Sequence, residues 1–226
     1  MAIVGTFGPM IGACVSLHTI EGKGSVKKYL KTFLSFNFGC KVWITIFLSM
    51  GIIGFIAWII PEFFGEERLH SYLPSVFVFP VYLIFVTFLG GGQEEIGWAG
   101  YMMPRLEGRY GLTIGTLIRG IVWSVWHLPL WLVPGSSQSY MNFFAFTLMC
   151  TGYSFIFSWI IDRSGNRPMS AVVIHGVANG FAALFPFVVL SDGVMQTRIW
   201  VYSILTLIAG IIIAILRTYK SRKTST

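Results

Sequence analysis

Apolar residues gather along this chain in runs about as long as a bilayer is thick, separated by short polar intervals. Seven runs stand out: Ala2–Leu17, Val42–Ile60, Val76–Met103, Ile114–Val133, Met141–Ile161, Met169–Leu190 and Ile199–Leu216. A helix that crosses a membrane needs about 20 mostly apolar residues. The pattern therefore predicts an all-α fold, a polytopic transmembrane helical bundle of about seven membrane helices. The third run is longer than one crossing requires and turns polar in its second half. The widest interval between runs, the basic stretch His18–Lys41, leaves nothing for a soluble domain. Residues 1–226 are expected to form a single integral membrane domain, with no convincing internal repeat and only a short polar tail, Lys220–Thr226.

Composition agrees with that solvent: 55% of residues are hydrophobic, 11% are charged, and mean hydropathy is +0.73. Charge then gives an orientation, because Lys and Arg in short loops stay cytoplasmic. Lys23, Lys27, Lys28, Lys31 and Lys41 follow the first run, Arg105 and Arg109 the third, Arg163 and Arg167 the fifth, and Arg217, Lys220, Arg222 and Lys223 the last. The alternate loops hold only Arg68 and Arg198, while Arg119 lies within or at the edge of the fourth run. The expectation is a multi-pass protein of the plasma membrane with its N-terminus outside and its C-terminus cytoplasmic. The net charge of +7 then forms a cytoplasmic rim facing the anionic lipid bilayer. Divided among four loops without aromatic interleaving, it excludes nucleic acid as a partner. The first run lacks the basic n-region of a signal peptide and reads as a retained helix. Cys14, Cys40 and Cys150 show neither metal spacing nor a disulfide framework, so packing is their expected role.

Against this apolar background a few polar residues are conspicuous. Glu94 and Glu95 lie side by side inside the third run, His127 inside the fourth, and His175 with Asn179 four residues on inside the sixth. An ionisable side chain at membrane depth is disfavoured by about 2.5–3.5 kcal/mol, so it normally faces a polar cavity and has a function there. Counted along helices, Glu94 lies about 15 Å from the Pro104–Arg105 end and His175 about 10 Å from Pro168. If Arg119 marks the interface, His127 lies about 12 Å below it. The three helices can then bring their polar groups to one level, below the cytoplasmic face.

These residue types suit peptide hydrolysis. A carboxylate in a low-dielectric site can take a proton from water and later return it, a task open to Glu94 or Glu95. Adjacent helix residues point about 100° apart, so only one of them can face the histidines squarely. His175 and Asn179 share a face and offer two donors to a developing oxyanion, while His127 is placed to help hold the water. Two histidines and a glutamate also match a catalytic zinc set in number, with Glu94, His127 and His175 as the alternative ligands. No His-Glu-x-x-His prearranges two ligands on one turn, however, so the reading without a cofactor is preferred. Gly90-Gly91-Gly92 lacks the Lys-Ser/Thr of a phosphate loop and reads as a kink or a close helix contact. Trp98, Trp123, Trp126 and Trp131 read as packing or interfacial belt, and His18 and His70 as interfacial bystanders.

Glu94-Glu95-Ile96-Gly97-Trp98-Ala99-Gly100-Tyr101 with Pro104-Arg105-Leu106, then Trp123-x3-His127-Leu128-Pro129, then His175-x3-Asn179, resemble the three ordered motifs of the CPBP family. That family comprises type II CAAX prenyl endopeptidases and bacteriocin-processing or immunity-type membrane proteins, also called Abi proteins. The motifs span about Gln93–Gly180, within a protease-like core of about 76–190. The resemblance implies an α-helical intramembrane endopeptidase open to the cytoplasm. In it Glu94 activates water, His127 assists, and His175 with Asn179 forms the oxyanion hole. It implies as substrate a peptide or protein C-terminus, lipidated in the prenyl endopeptidases. Members of the family carry a further helix ahead of the segment resembling Thr6–Leu17, so the chain is expected to begin late.

Two positions depart from the family pattern. Its first motif is Glu-Glu-x-x-x-Arg, and here the arginine position is Ala99; its second begins with Phe, and here with Trp123. The loss of the arginine makes a non-catalytic immunity or scaffold protein on the same fold the alternative function. A transporter would call for inverted repeats, which the chain lacks. Arg119, Trp123 and His127 follow at i, i+4 and i+8 and share a helix face. The simpler expectation is that Arg119 snorkels to the headgroups. The other is that it reaches Glu95 and supplies the missing charge, across helices packed about 8–10 Å apart.

Overall fold

The computed structural model describes residues 5–191 and 193–224, with side chains described as far as 219. The start of the first predicted run, residues 2–4, and the tail side chains of Lys220, Arg222 and Lys223 lie outside the described residues. Among those described, all regular structure is helical. The longer helices are α1 (Gly8–Glu21), α2 (Ser25–Lys31), α3 (Cys40–Ile59), α4 (Phe79–Phe88), α5 (Met103–Tyr110), α6 (Leu112–Trp126), α7 (Phe143–Arg163), α8 (Met169–Leu184) and α9 (Thr197–Thr224).

Local sequence sets most of these boundaries. Pro9, Pro80 and Pro104 stand in the first turns of α1, α4 and α5, where the missing N–H is not needed. Asn142 caps α7 by accepting from the backbone N–H groups of Phe144 and Ala145. α8 stops at Leu184 because Phe185 precedes Pro186 and is driven out of the helical region.

Four helical stretches are long and apolar enough to cross a membrane: Cys40–Phe64, Val76–Tyr110, Phe143–Arg163 and Thr197–Tyr219. The other predicted runs correspond to shorter helices. α1, α6 and α8 have 14, 15 and 16 residues, or about 21–24 Å at 1.5 Å per residue. Part of the fourth run and the end of the sixth leave the α-helix, as the 3₁₀ turns Leu128–Leu132 and the irregular chain after Phe185. The third run is broken rather than straight.

α7 is the central helix, with 72% of its apolar window buried inside the protein against 22–28% for the other three long stretches. It packs on α6, α8 and α9, and α8 in turn packs on α3 and α4. Phe157, Ile160, Ile174, Ile46 and Met50 fill the core between them. Polar contacts gather the loops into two ends. At one, Arg105 bonds Glu21, Arg167 bonds Ser35, and Arg217 bonds Glu107 and Asp162. At the other, Arg198 bonds Glu66 and the Tyr72 hydroxyl donates to the Val188 carbonyl.

Candidate active site

The three polar segments converge, the Glu94–Glu95 turn meeting α6 at Arg119 and Trp123 and α8 at His175. The first is a break in the long third stretch. α4 ends at Phe88, and Gly91 (φ +133°) turns the chain into a short 3₁₀ turn, Gly92–Glu94. Only glycine holds that φ comfortably. The backbone groups exposed by the break are met by side chains: Asn179 Nδ2 donates to the Gly90 carbonyl at 3.0 Å, and the Gly91 N–H donates to Gln93 Oε1 at 3.0 Å. This meets the requirement that irregular backbone at membrane depth be satisfied by protein. After one α turn, Glu95–Gly97, the chain widens into a π turn, Trp98–Met102, before α5.

The adjacent glutamates are both buried, Glu94 2% and Glu95 0% exposed, yet they have different surroundings. Glu94 Oε2 accepts from the indole N–H of Trp98 at 3.2 Å and of Trp123 at 3.1 Å. Its Oε1 faces His127 Nε2 at 3.8 Å, beyond direct hydrogen-bond reach. Glu95 accepts from Arg119 Nη2, at 2.8 Å to Oε1 and 2.6 Å to Oε2, and its Oε1 lies 3.0 Å from His175 Nδ1.

The partners constrain both imidazoles. His127 Nδ1 lies 2.9 Å from the Trp123 carbonyl, which can only accept, so Nδ1 carries a hydrogen and Nε2 is turned to Glu94. At the end of α6, His127 is the more accessible histidine, its side chain 14% exposed against 7% for His175. His175 turns Nδ1 to Glu95 and Nε2 toward Gly91. A methyl group built on Gly91 would sit 3.1 Å from that Nε2 and 2.7 Å from Asn179 Nδ2. Both nitrogens therefore border one recess beside Gly91.

Two expectations need correction. Arg119 does not snorkel: its side chain is fully buried and its guanidinium is on Glu95. α6 begins at Leu112, directly after Gly111 (φ +82°), and places His127 about 22 Å along the helix axis from that end. The tryptophans do more than pack. Trp98 meets Trp126 edge to face with centroids 5.9 Å apart, but Trp98 and Trp123 also hold Glu94. Their signal was present in the sequence, as positions four residues after Glu94 and four before His127.

The three alternative zinc ligands keep one free atom each, Glu94 Oε1, His127 Nε2 and His175 Nε2, but they do not gather as a group. His175 turns Nδ1 to Glu95 rather than toward Glu94, and two indoles occupy Glu94 Oε2. Among the described residues no three His, Cys, Asp or Glu side chains gather as a metal centre would require. Cys14, Cys40 and Cys150 are free thiols.

Fold and site together define a polytopic helical membrane protein with paired glutamates and histidines enclosed at its centre. Residues 75–181 match the family model described as Type II CAAX prenyl endopeptidase Rce1-like. CAAX prenyl protease 2 of Methanococcus maripaludis is 30% identical over 103 residues, covering 43% of this chain and 38% of that protein. The segment that carries the three motifs is thus similar to that family model and to that protease, of whose length the chain spans less than half.

Proposed function

We propose that the chain is an intramembrane endopeptidase that hydrolyses a peptide bond with a water held between Glu94 and His127. The 3.8 Å gap between Glu94 Oε1 and His127 Nε2 carries this reading. A water in bonding distance of both would donate one hydrogen to each, since both atoms are free to accept. Its oxygen lone pairs would then point away from the two acceptors, toward a substrate carbonyl.

Glu94 takes the proton as the water oxygen bonds to the carbonyl carbon. It gives that proton to the amine nitrogen as the C–N bond breaks. The negative charge that develops on the carbonyl oxygen falls in the recess beside Gly91. There Asn179 Nδ2 has one hydrogen left after bonding Gly90, and His175 in its doubly protonated form donates from Nε2. No step passes through a metal.

The relative's name supports a prenylated C-terminal peptide as the substrate class. The basic loops support the orientation in which the C-terminus, and the entry to the site, are cytoplasmic. Cleavage of a prenylated peptide library by purified protein in detergent, with Glu94→Ala as control, tests the reading. Turnover is expected for wild type only, and it is expected to survive a chelator in protein shown free of zinc. A wild-type protein that cleaves nothing would leave the immunity or scaffold role in its place.

A further inference from the structure

Glu94 and Glu95 are chain neighbours, yet only Glu95 has a cation against it. That cation comes from another helix, 24 residues along the chain, and neither side chain has any exposed surface. The turn after Glu95 brings only Ala99, itself buried. Beyond two ring contacts, Arg119 gains little else from its position. Nε and Nη1 are buried without a hydrogen-bond partner, and Cζ lies 5.0 Å from the Trp123 ring centroid and 5.7 Å from that of Phe157. Two unpaired donors in an apolar interior are costly, so the contact with Glu95 is what this burial serves.

Glu95 Oε1 also meets His175 Nδ1. An ionised carboxylate only accepts, so Nδ1 must then donate. Without the guanidinium, an isolated Glu–His pair in apolar surroundings avoids charge separation best as a neutral acid and a neutral imidazole. The proton would cross from Nδ1 to Oε1 along the same hydrogen bond. With Arg119 present, two cations, Arg119 and a protonated His175, offset two carboxylates, Glu94 and Glu95.

We propose that Arg119 is a positioning residue that acts through Glu95, keeping it a pure acceptor so that His175 holds Nδ1–H inward and presents a charged Nε2 edge to the Gly91 recess. Its effect on turnover rests on the endopeptidase reading; its effect on the imidazole does not. Charge-assisted donors are roughly twice as strong as neutral ones, so the loss falls on the transition state rather than on substrate binding.

Nitrogen-15 NMR of histidine-labelled protein in nanodiscs reads the imidazole directly. The chain has four histidines, and His175→Gln assigns the signal. In Arg119→Met the His175 Nδ1 resonance is expected to move from the protonated to the unprotonated position. Its kcat on peptide should fall about 10- to 100-fold, with KM within about threefold. Ala99→Arg in the same background should restore both signals. If Arg119→Met does not fold, Arg119→Gln/Glu95→Gln leaves no orphaned charge and should show the same fall in kcat. A protonated Nδ1 in Arg119→Met, or wild-type kcat in the double variant, overturns the proposal. Absence of cleavage by the wild type would instead refute the endopeptidase reading, while the NMR comparison would still decide the role of Arg119.

Discussion

Two polar clusters lie in this apolar bundle, one enclosed at Glu94 and Glu95 and one that reaches the surface at Asp162, and they differ in what is left unsatisfied. At the basic end, Glu107 Oε1 accepts from Thr116 Oγ1 and Ser158 Oγ, each at 2.7 Å, and from Arg217 Nη1 at 3.1 Å. Arg217 Nε bonds Asp162 Oδ2 at 2.8 Å. The cluster ties α5, α6, α7 and α9 together, and its charges are spent on one another. In the central cluster Glu94 Oε1, His127 Nε2 and His175 Nε2 make no hydrogen bond among the described residues. Buried charge alone therefore does not mark chemistry in a membrane protein. We read leftover bonding capacity, as between Glu94 Oε1 and His127 Nε2, as its mark instead.

The largest effect that tests this contrast is expected at Glu94. Glu94→Gln keeps the shape and both indole contacts within reach but removes the base, and should lower kcat by about 10²- to 10⁴-fold with the thermal unfolding midpoint little changed. Near wild-type turnover in that variant would refute the assignment. Next come the recess donors: His175→Ala and Asn179→Ala should each cost about 10²- to 10³-fold in kcat with KM nearly unchanged. Steady-state kinetics that moved only KM would remove the oxyanion role. The smallest effect belongs to the saturated cluster. Glu107→Ala should leave kcat unchanged and lower stability by about 1–3 kcal/mol, because Arg217 keeps Asp162 as a partner. A large loss of turnover at Glu107, measured in folded protein, would erase the distinction between the two clusters.

Legibility in the sequence followed the same divide. Glu94, Glu95, His127, His175 and Asn179 stood out because ionisable or amide groups are rare on an apolar background and because their order matched three motifs. The broken third helix was visible in Gly90-Gly91-Gly92. The depth of Arg119 was not visible, since it depends on where α6 begins, and that is set by a single left-handed glycine, Gly111. The indole contacts of Trp98 and Trp123 were hidden behind the usual membrane role of aromatic residues. The link between Glu107 and Arg217 joins residues 110 positions apart, beyond any local pattern. Periodicity along one helix says which residues share a face; it does not say which other helix that face meets.

The break at Gly91 also dictates an order of assembly. The Gly90 carbonyl receives its hydrogen bond from Asn179, 89 residues later in the chain. When the third hydrophobic stretch first enters the bilayer, α8 has not yet been synthesised, and the bent form would leave that carbonyl bare in hydrocarbon. Until then the unbroken helix, with its backbone bonded internally, is the form the membrane tolerates. The elbow that sets Glu94 in place can close only once residue 179 has arrived, so the centre of this protein is completed late, as a step of helix association rather than of insertion.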